Sequence, residues 1–171
     1  LILETDEAFN TFEKIKISDL LVLNVDSDHL DYFKNLDNYK DAFYKVMKNV
    51  TDNLVINNDD LNIKSMKDLK NPVSYGKDTS ADFKVQSPGN FKYENNKYEI
   101  KSDIIGDHFK SNMLGAIILA LLNGIEIKDS LNAIESFAGV KRRIELIGIS
   151  KGVLIYDDYG HHPTEMEATI T

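Results

Sequence analysis

LLVLNVDSDHLD, residues 20–31, is the stretch that decides the fold. Its first half, LLVLNV at 20–25, lacks polar alternation, as a strand buried on both faces of a parallel sheet requires. Its second half turns into acids and a histidine: Asp26, Asp28, His29 and Asp31. Ligands of open α/β sheets bind beyond the carboxyl ends of the parallel strands, so an apolar run that stops in a charged cluster reads as strand plus site. Two more runs follow the same plan. LIL at 1–3 ends in Glu4, Thr5, Asp6 and Glu7, and VLIY at 153–156 is a buried strand ending in Asp157, Asp158, Tyr159, Gly160, His161 and His162. Three of the four histidines fall in these clusters, and the fourth is His108.

Working outward, NYKDAFYKVMKNV at 38–50 spaces Tyr39, Ala42, Phe43, Val46 and Met47 as an amphipathic helix. LVI at 54–56 is a short strand ending in NNDD. From 71 to 105, VSYG, ADFKVQ, NFKYEN and KYEIK are short segments broken by Pro-Gly and Asn-Asn, which predicts antiparallel strands on the flank of the main sheet. Helices are expected at 110–123, closed by Gly124, and at about 128–137. Pro163 opens a last helix, PTEMEATI. The fold class is α/β: a mainly parallel sheet flanked by helices, with a smaller antiparallel flank. Because the chain opens inside an apolar run and stops within a helical pattern, it reads as a piece truncated at both ends.

Composition narrows the function. The 171 residues include no cysteine, which removes disulfide scaffolds, thiolate zinc sites and cysteine nucleophiles. A formal charge of −8 and a pI near 5.0 argue against a nucleic-acid partner. The longest apolar stretch, Met113 to Leu122, is far short of the roughly 20 residues of a membrane span, and no secretory signal opens the chain. The reading is a soluble, cytoplasmic protein without a membrane partner. Of 20 basic residues 18 are lysine; the two arginines, Arg142 and Arg143, are adjacent. A guanidinium binds carboxylate or phosphate as a fork, which lysine cannot do.

Two chemistries fit these clusters. One is a nucleotide-dependent enzyme using magnesium and an arginine against phosphate; the other is a metal-dependent phosphohydrolase built on DSDHLD and HHPTE. Carboxylate oxygens at strand ends favour magnesium or manganese. No G-x-x-x-x-G-K phosphate loop occurs in the 171 residues, and no compact set of two histidines with carboxylates occurs either.

GVKRRIE at 139–145 followed by DDYGHHPTE at 157–165 resembles the Mur ligase family. ETDE at 4–7, NVDSDHLD at 24–31, NNDD at 57–60 and GDHFKSN at 106–112 agree in order. The resemblance implies a central ATP-binding domain over 1–148, lacking its phosphate loop, and the start of a C-terminal ligase domain over 149–171. It implies ATP and Mg2+ as cofactors, with UDP-N-acetylmuramate and L-alanine as the substrates of the alanine-adding branch. A sister branch attaches a recycled tripeptide to the same sugar nucleotide.

Residue by residue, the resemblance implies that Glu4 and His29 hold magnesium and that Asn112 hydrogen-bonds adenine. It implies that Arg143 reaches the ATP phosphates, that Asp158 contacts the ribose, and that His161 faces the substrates across the interdomain cleft. Two positions depart from the family. Phe109 stands where an asparagine is usual, so an aromatic ring can stack where an amide would bond. Phe43 stands where several sister ligases carry a carbamoylated lysine, as is similar in the alanine-adding branch. The implied reaction phosphorylates the lactyl carboxylate to an acyl phosphate, which the amine of L-alanine attacks to form the amide of a peptidoglycan precursor.

Overall fold

The computed structural model describes residues 1–5 and 7–170; Asp6, in the first acidic cluster, and Thr171 lie outside the described residues. A 3₁₀ segment, Ala8–Lys14, leads into β1 (Asp19–Val22), α1 (Leu30–Phe33), α2 (Leu36–Lys48), β2 (Asn53–Asn57) and α3 (Leu61–Ser65). Four strands follow: β3 (Val73–Gly76), β4 (Phe83–Ser87), β5 (Asn90–Tyr93) and β6 (Asn96–Glu99). The helices α4 (Asp107–Leu122) and α5 (Ile127–Glu135) come next, then β7 (Glu145–Ser150), β8 (Val153–Asp157) and α6 (Pro163–Ile170).

Strands β1 to β6 form one sheet in sequence order. β1 through β4 are parallel and β4 through β6 antiparallel, so the expected α/β class with an antiparallel flank is what the chain adopts. β2 shows why a strand without polar alternation belongs at the centre. Leu54 and Ile56 enter one core with Val46 and Met47 of α2, while Val55 enters the other with Leu114, Ile117 and Ile118 of α4. Successive side chains of a strand point to opposite faces, so a strand covered on both sides must be apolar at every position. Gly115 lets α4 lie close on the sheet: a Cβ there would stand 2.8 Å from Leu21 Cδ1 and 3.1 Å from Tyr75 Oη.

Three expectations are corrected. LIL at 1–3 is not a strand; Leu1, Ile2 and Leu3 are exposed and lie in no regular element. A strand exists by pairing its N–H and C=O groups, and β1, the sheet edge, pairs only with β2. VSYG joins the parallel part of the sheet rather than the antiparallel flank, with Tyr75 opposite Phe83 of β4, which in turn pairs antiparallel with β5. Parallel neighbours usually need a long crossover. Here a short loop suffices, because Asp82 accepts from Ser74 N and Oγ (both 2.8 Å) and Asp78 accepts from Ser80 N and Oγ (both 2.9 Å). VLIY at 153–156 is a strand, as expected, but not a buried one. It pairs antiparallel with β7 as a two-stranded ribbon, and among the described residues no second layer covers it, so Val153 to Tyr156 are exposed. The expected domain boundary at 148/149 falls inside β7.

Candidate active site

Two regions gather the expected residues. The first is an apolar cavity of about 390 Å³ between α4, α5 and the segment before β7. Phe109, Asn112, Met113 and Ala116 of α4 line it at spacings of three and four, hence from one helical face. Ile134, Phe137 and Val140 supply the opposite wall, and Arg143 stands at the same cavity. Among the described residues the Arg143 guanidinium has no hydrogen bond or ion pair; its backbone N–H donates to Val140 O at 3.2 Å. A flat apolar slot carrying one side-chain amide and one unpaired guanidinium suits a planar heterocycle joined to an anion. The structure thus brings Asn112 and Arg143 together, with Phe109 beside them.

The second region is the loop after β1. No ladder reaches residues 23–25; side chains from the neighbouring β2–α3 turn replace it. Asn57 Nδ2 donates to Leu23 O (3.1 Å) and Asn62 Nδ2 to Val25 O (2.6 Å). Val25 N–H donates to Asp60 Oδ2 (3.1 Å), while Asp60 Oδ1 caps α3 by accepting from Ile63 N (2.8 Å). Val25 itself is fully buried. The NNDD turn therefore anchors the strand end that carries the acids.

Beyond Val25, Asp26 accepts from Ser27 N (2.8 Å) and Asp28 from His29 N (2.7 Å). His29 caps α1 in the left-handed region, φ 50°, and its Nε2 lies 3.9 Å from Asp28 Oδ2. Glu4 is exposed and in no element, so it does not end a strand, and among the described residues no hydrogen bond or ion pair joins it to His29. Glu7 is the acid drawn to this end of the sheet: the buried Tyr39 hydroxyl donates to its Oε1 at 2.9 Å. Burial first, then Glu7 beside it, hold the Tyr39 phenol far above the ordinary tyrosine range, and the charges of Asp28 and Asp26 add to this. It remains a neutral donor among three carboxylates.

The start of α6 docks on the same loop. His162 Nε2 lies 3.2 Å from Ser27 O, and its Nδ1 lies 3.9 Å from Asp26 Oδ2. A hydrogen bond from Thr164 is the largest influence on Asp26 and holds its carboxyl below the ordinary aspartate value, against partial desolvation. His161, the expected partner of the cleft, instead lies exposed with Nδ1 3.2 Å from Tyr159 O. Asp158 uses both oxygens on main chain, accepting from Ile144 N (2.8 Å) and Gly160 N (2.7 Å). The sequence placed Glu7 and His162 in the strand-end clusters, Tyr39 on the amphipathic helix and Thr164 within DDYGHHPTE, but assigned none of them an individual role in the site.

Among the described residues no group of three or more His, Asp or Glu is arranged as a metal cage. Magnesium in nucleotide enzymes needs no such cage, since one or two carboxylates suffice when phosphates and water complete its shell. The hard oxygens at the β1 end fit that demand. Phe43, at the position of the sister ligases' lysine, packs on Phe12 and Tyr39 with ring centroids 5.1 Å apart in each pair.

Comparison with known proteins places the chain in a family. The Mur ligase middle domain matches residues 7–120. This chain belongs to the Mur ligase family. It is 36% identical to the UDP-N-acetylmuramate–L-alanine ligase of Dictyoglomus turgidum over 99% of its own length and 40% of the relative's. It spans about 40% of the length of the curated relatives it matches first. The crystal structure of the UDP-N-acetylmuramate–alanine ligase of Thermotoga maritima superposes with a TM-score of 0.74 at 24% identity, covering 92% of this chain and 38% of that one. The MurF ligase of Thermotoga maritima, solved in complex with ADP, superposes with a TM-score of 0.66 at 22% identity, over 91% of this chain and 38% of that one. Among the described residues no helix is long and apolar enough to cross a membrane.

Proposed function

We propose that this chain is the nucleotide-binding part of a cytoplasmic, ATP-dependent ligase that joins L-alanine to UDP-N-acetylmuramate through an acyl phosphate. The observation that carries the reading is the shared cavity of Asn112, Phe109 and Arg143. There Phe109 would stack on adenine, Asn112 would hydrogen-bond it, and Arg143 would reach the phosphates. Residues 1–148 form the central ATP-binding domain and 149–171 begin the C-terminal domain. The names of the curated relatives support the alanine-adding activity, and the ADP complex of a structural neighbour supports a nucleotide in this fold.

The chain's own residues do little covalent chemistry; phosphoryl transfer rests on positioning and charge neutralisation. Arg143 offers a charge-assisted fork to the phosphoryl oxygens as charge spreads over them. Glu4 and His29 are the proposed holders of magnesium, which when bound supplies charge neutralisation between phosphate and carboxylate oxygens. Asp158 would share its carboxylate between the Ile144 and Gly160 amides and the ribose. His161 would turn from Tyr159 toward the substrates as the C-terminal domain closes and excludes water.

A titration of the chain with magnesium and ATP, followed by NMR, tests the reading. Because the 171 residues hold no phosphate loop, binding is expected to be weaker than micromolar, with shifts centred on Phe109, Asn112, Ala116 and Arg143. Neither alanine nor UDP-N-acetylmuramate should elicit phosphate release from this chain. Saturable binding whose shifts avoid that cavity would move the nucleotide elsewhere.

A further inference from the structure

The arginine pair is adjacent in sequence, yet the nucleotide reading uses only Arg143. Arg142 is bound up in something else. Arg142 and Ile144, on either side of Arg143, both have positive φ, 60° and 48°, a region that L side chains avoid. Three hydrogen bonds hold them there. Arg142 N donates to Glu145 Oε2 (2.8 Å), Tyr159 N donates to Arg142 O (2.8 Å), and Ile144 N donates to Asp158 Oδ2 (2.8 Å). The Arg142 guanidinium lies over the Tyr159 ring, 4.6 Å from its centroid, with Nε 3.7 Å from Asp157 Oδ2. Asp157, Tyr159 and Asp158 of the β8 end thus grip the residues flanking Arg143, and none of them bonds to the Arg143 side chain. One arginine lies on the ribbon and its neighbour faces the cavity.

We propose that Arg142 is a positioning residue: stacked on Tyr159 and paired with Asp157, it clamps the β7–β8 ribbon to the 139–145 segment and so holds Arg143 at the apolar cavity. The role deepens the nucleotide reading of that cavity and rests on it. It requires a planar cation that can lie on an aromatic face while its edge meets a carboxylate, which distinguishes arginine from lysine. It also accounts for two arginines side by side in a chain that otherwise uses lysine.

The test compares Arg142→Lys, Tyr159→Leu and Tyr159→Phe with the unaltered chain by NMR, first without and then with magnesium and ADP. Without nucleotide, cross-relaxation between the Arg143 Nε proton and the methyls of Ile104 and Val140 reports whether Arg143 faces the cavity. These cross-peaks should vanish in Arg142→Lys and Tyr159→Leu and persist in Tyr159→Phe, which keeps the ring. Methyl signals of Ile117 and Ile118 show that the main core is intact; should Tyr159→Leu unfold, the exposed Arg142→Lys change decides alone. With ADP, affinity should fall about tenfold in Arg142→Lys, the equivalent of roughly one charge-assisted hydrogen bond, and hold in Tyr159→Phe. Arg143 cross-peaks that survive both disruptive changes overturn the clamp, whatever ADP does. If the clamp behaves as expected but ADP leaves Arg143 unmoved in the unaltered chain, the nucleotide reading fails and the clamp stands.

Discussion

The cavity between α4 and α5 and the loop after β1 are the two halves of the candidate site, and they are built in opposite ways. The cavity is made by packing: one face of α4 meets α5, and a single cation stands at the apolar walls. The loop is made by hydrogen bonds: Asn57 and Asn62 donate to the carbonyls of Leu23 and Val25, the Val25 amide donates to Asp60, Tyr39 donates to Glu7 and Thr164 to Asp26, and His162 meets the Ser27 carbonyl. Burial alone can assemble an apolar slot. It cannot assemble carboxylates, which repel each other by about 1 kcal/mol at 4 Å even in water. The charged half therefore stays open and exposed, and the apolar half is formed in advance.

The sharpest way to break this contrast is to attack the packing. Ile118 is fully buried on the sheet side of α4. Ile118→Ala should cost about 2–5 kcal/mol in chemical denaturation, because a cavity remains where the side chain was. His29→Ala, in the exposed loop, should change stability by no more than about 0.5 kcal/mol. Equal losses would mean that both halves belong to one cooperative core.

That difference also explains what could be read from the sequence. The runs 20–25 and 54–56 and the helix 38–50 declare themselves through apolar spacing; α4 is apolar nearly all round, so spacing picks out no face of it, and Asn112 comes from the family resemblance. The pair Arg142 and Arg143 is legible because arginine is rare here, and the resemblance singles out Arg143. LIL at 1–3 and VLIY at 153–156 misled, since an apolar run states a preference for burial and says nothing of whether a partner strand or layer is present. Glu7, rather than Glu4, meets Tyr39 because the 3₁₀ segment after it turns the chain toward α2, a path that leaves no periodic trace. His162, rather than His161, reaches the loop because the turn into α6 points it there, and adjacent histidines look alike on paper.

A medium effect is expected from the anchor of the loop. Asp60 satisfies the buried Val25 amide with one oxygen and caps α3 with the other. Asp60→Ala leaves that amide without a partner, at about 1–3 kcal/mol, and removes a helix cap worth about 1 kcal/mol. Hydrogen exchange should quicken at Val25 and through 26–29 while the amides of α4 stay protected. Uniform loss of protection across α4 as well would show that the loop is not an independently held unit.

The smallest effect tests the electrostatics of the loop through pH. Asp26 is held below the ordinary aspartate value of 3.8, chiefly by the Thr164 hydrogen bond, with the Ser27 amide and His162 helping. A carboxyl depressed in the folded state contributes stability that is complete above its unfolded value and is lost as pH falls through the lower, folded one. The contact between α6 and the 26–28 loop should therefore be intact at neutral pH and begin to weaken only below about pH 4. Because Asp26 is largely solvent-accessible, the loss is local and leaves global stability nearly unchanged. Amide shifts of Thr164 and Glu165, followed from pH 6 downward, should move toward undocked values in that acid range. In Asp26→Asn, which can still accept from Thr164 but cannot titrate, the same shifts should stay flat. Undocking that begins well above pH 5, or that persists unchanged in the asparagine variant, would mean another group holds α6 to the loop.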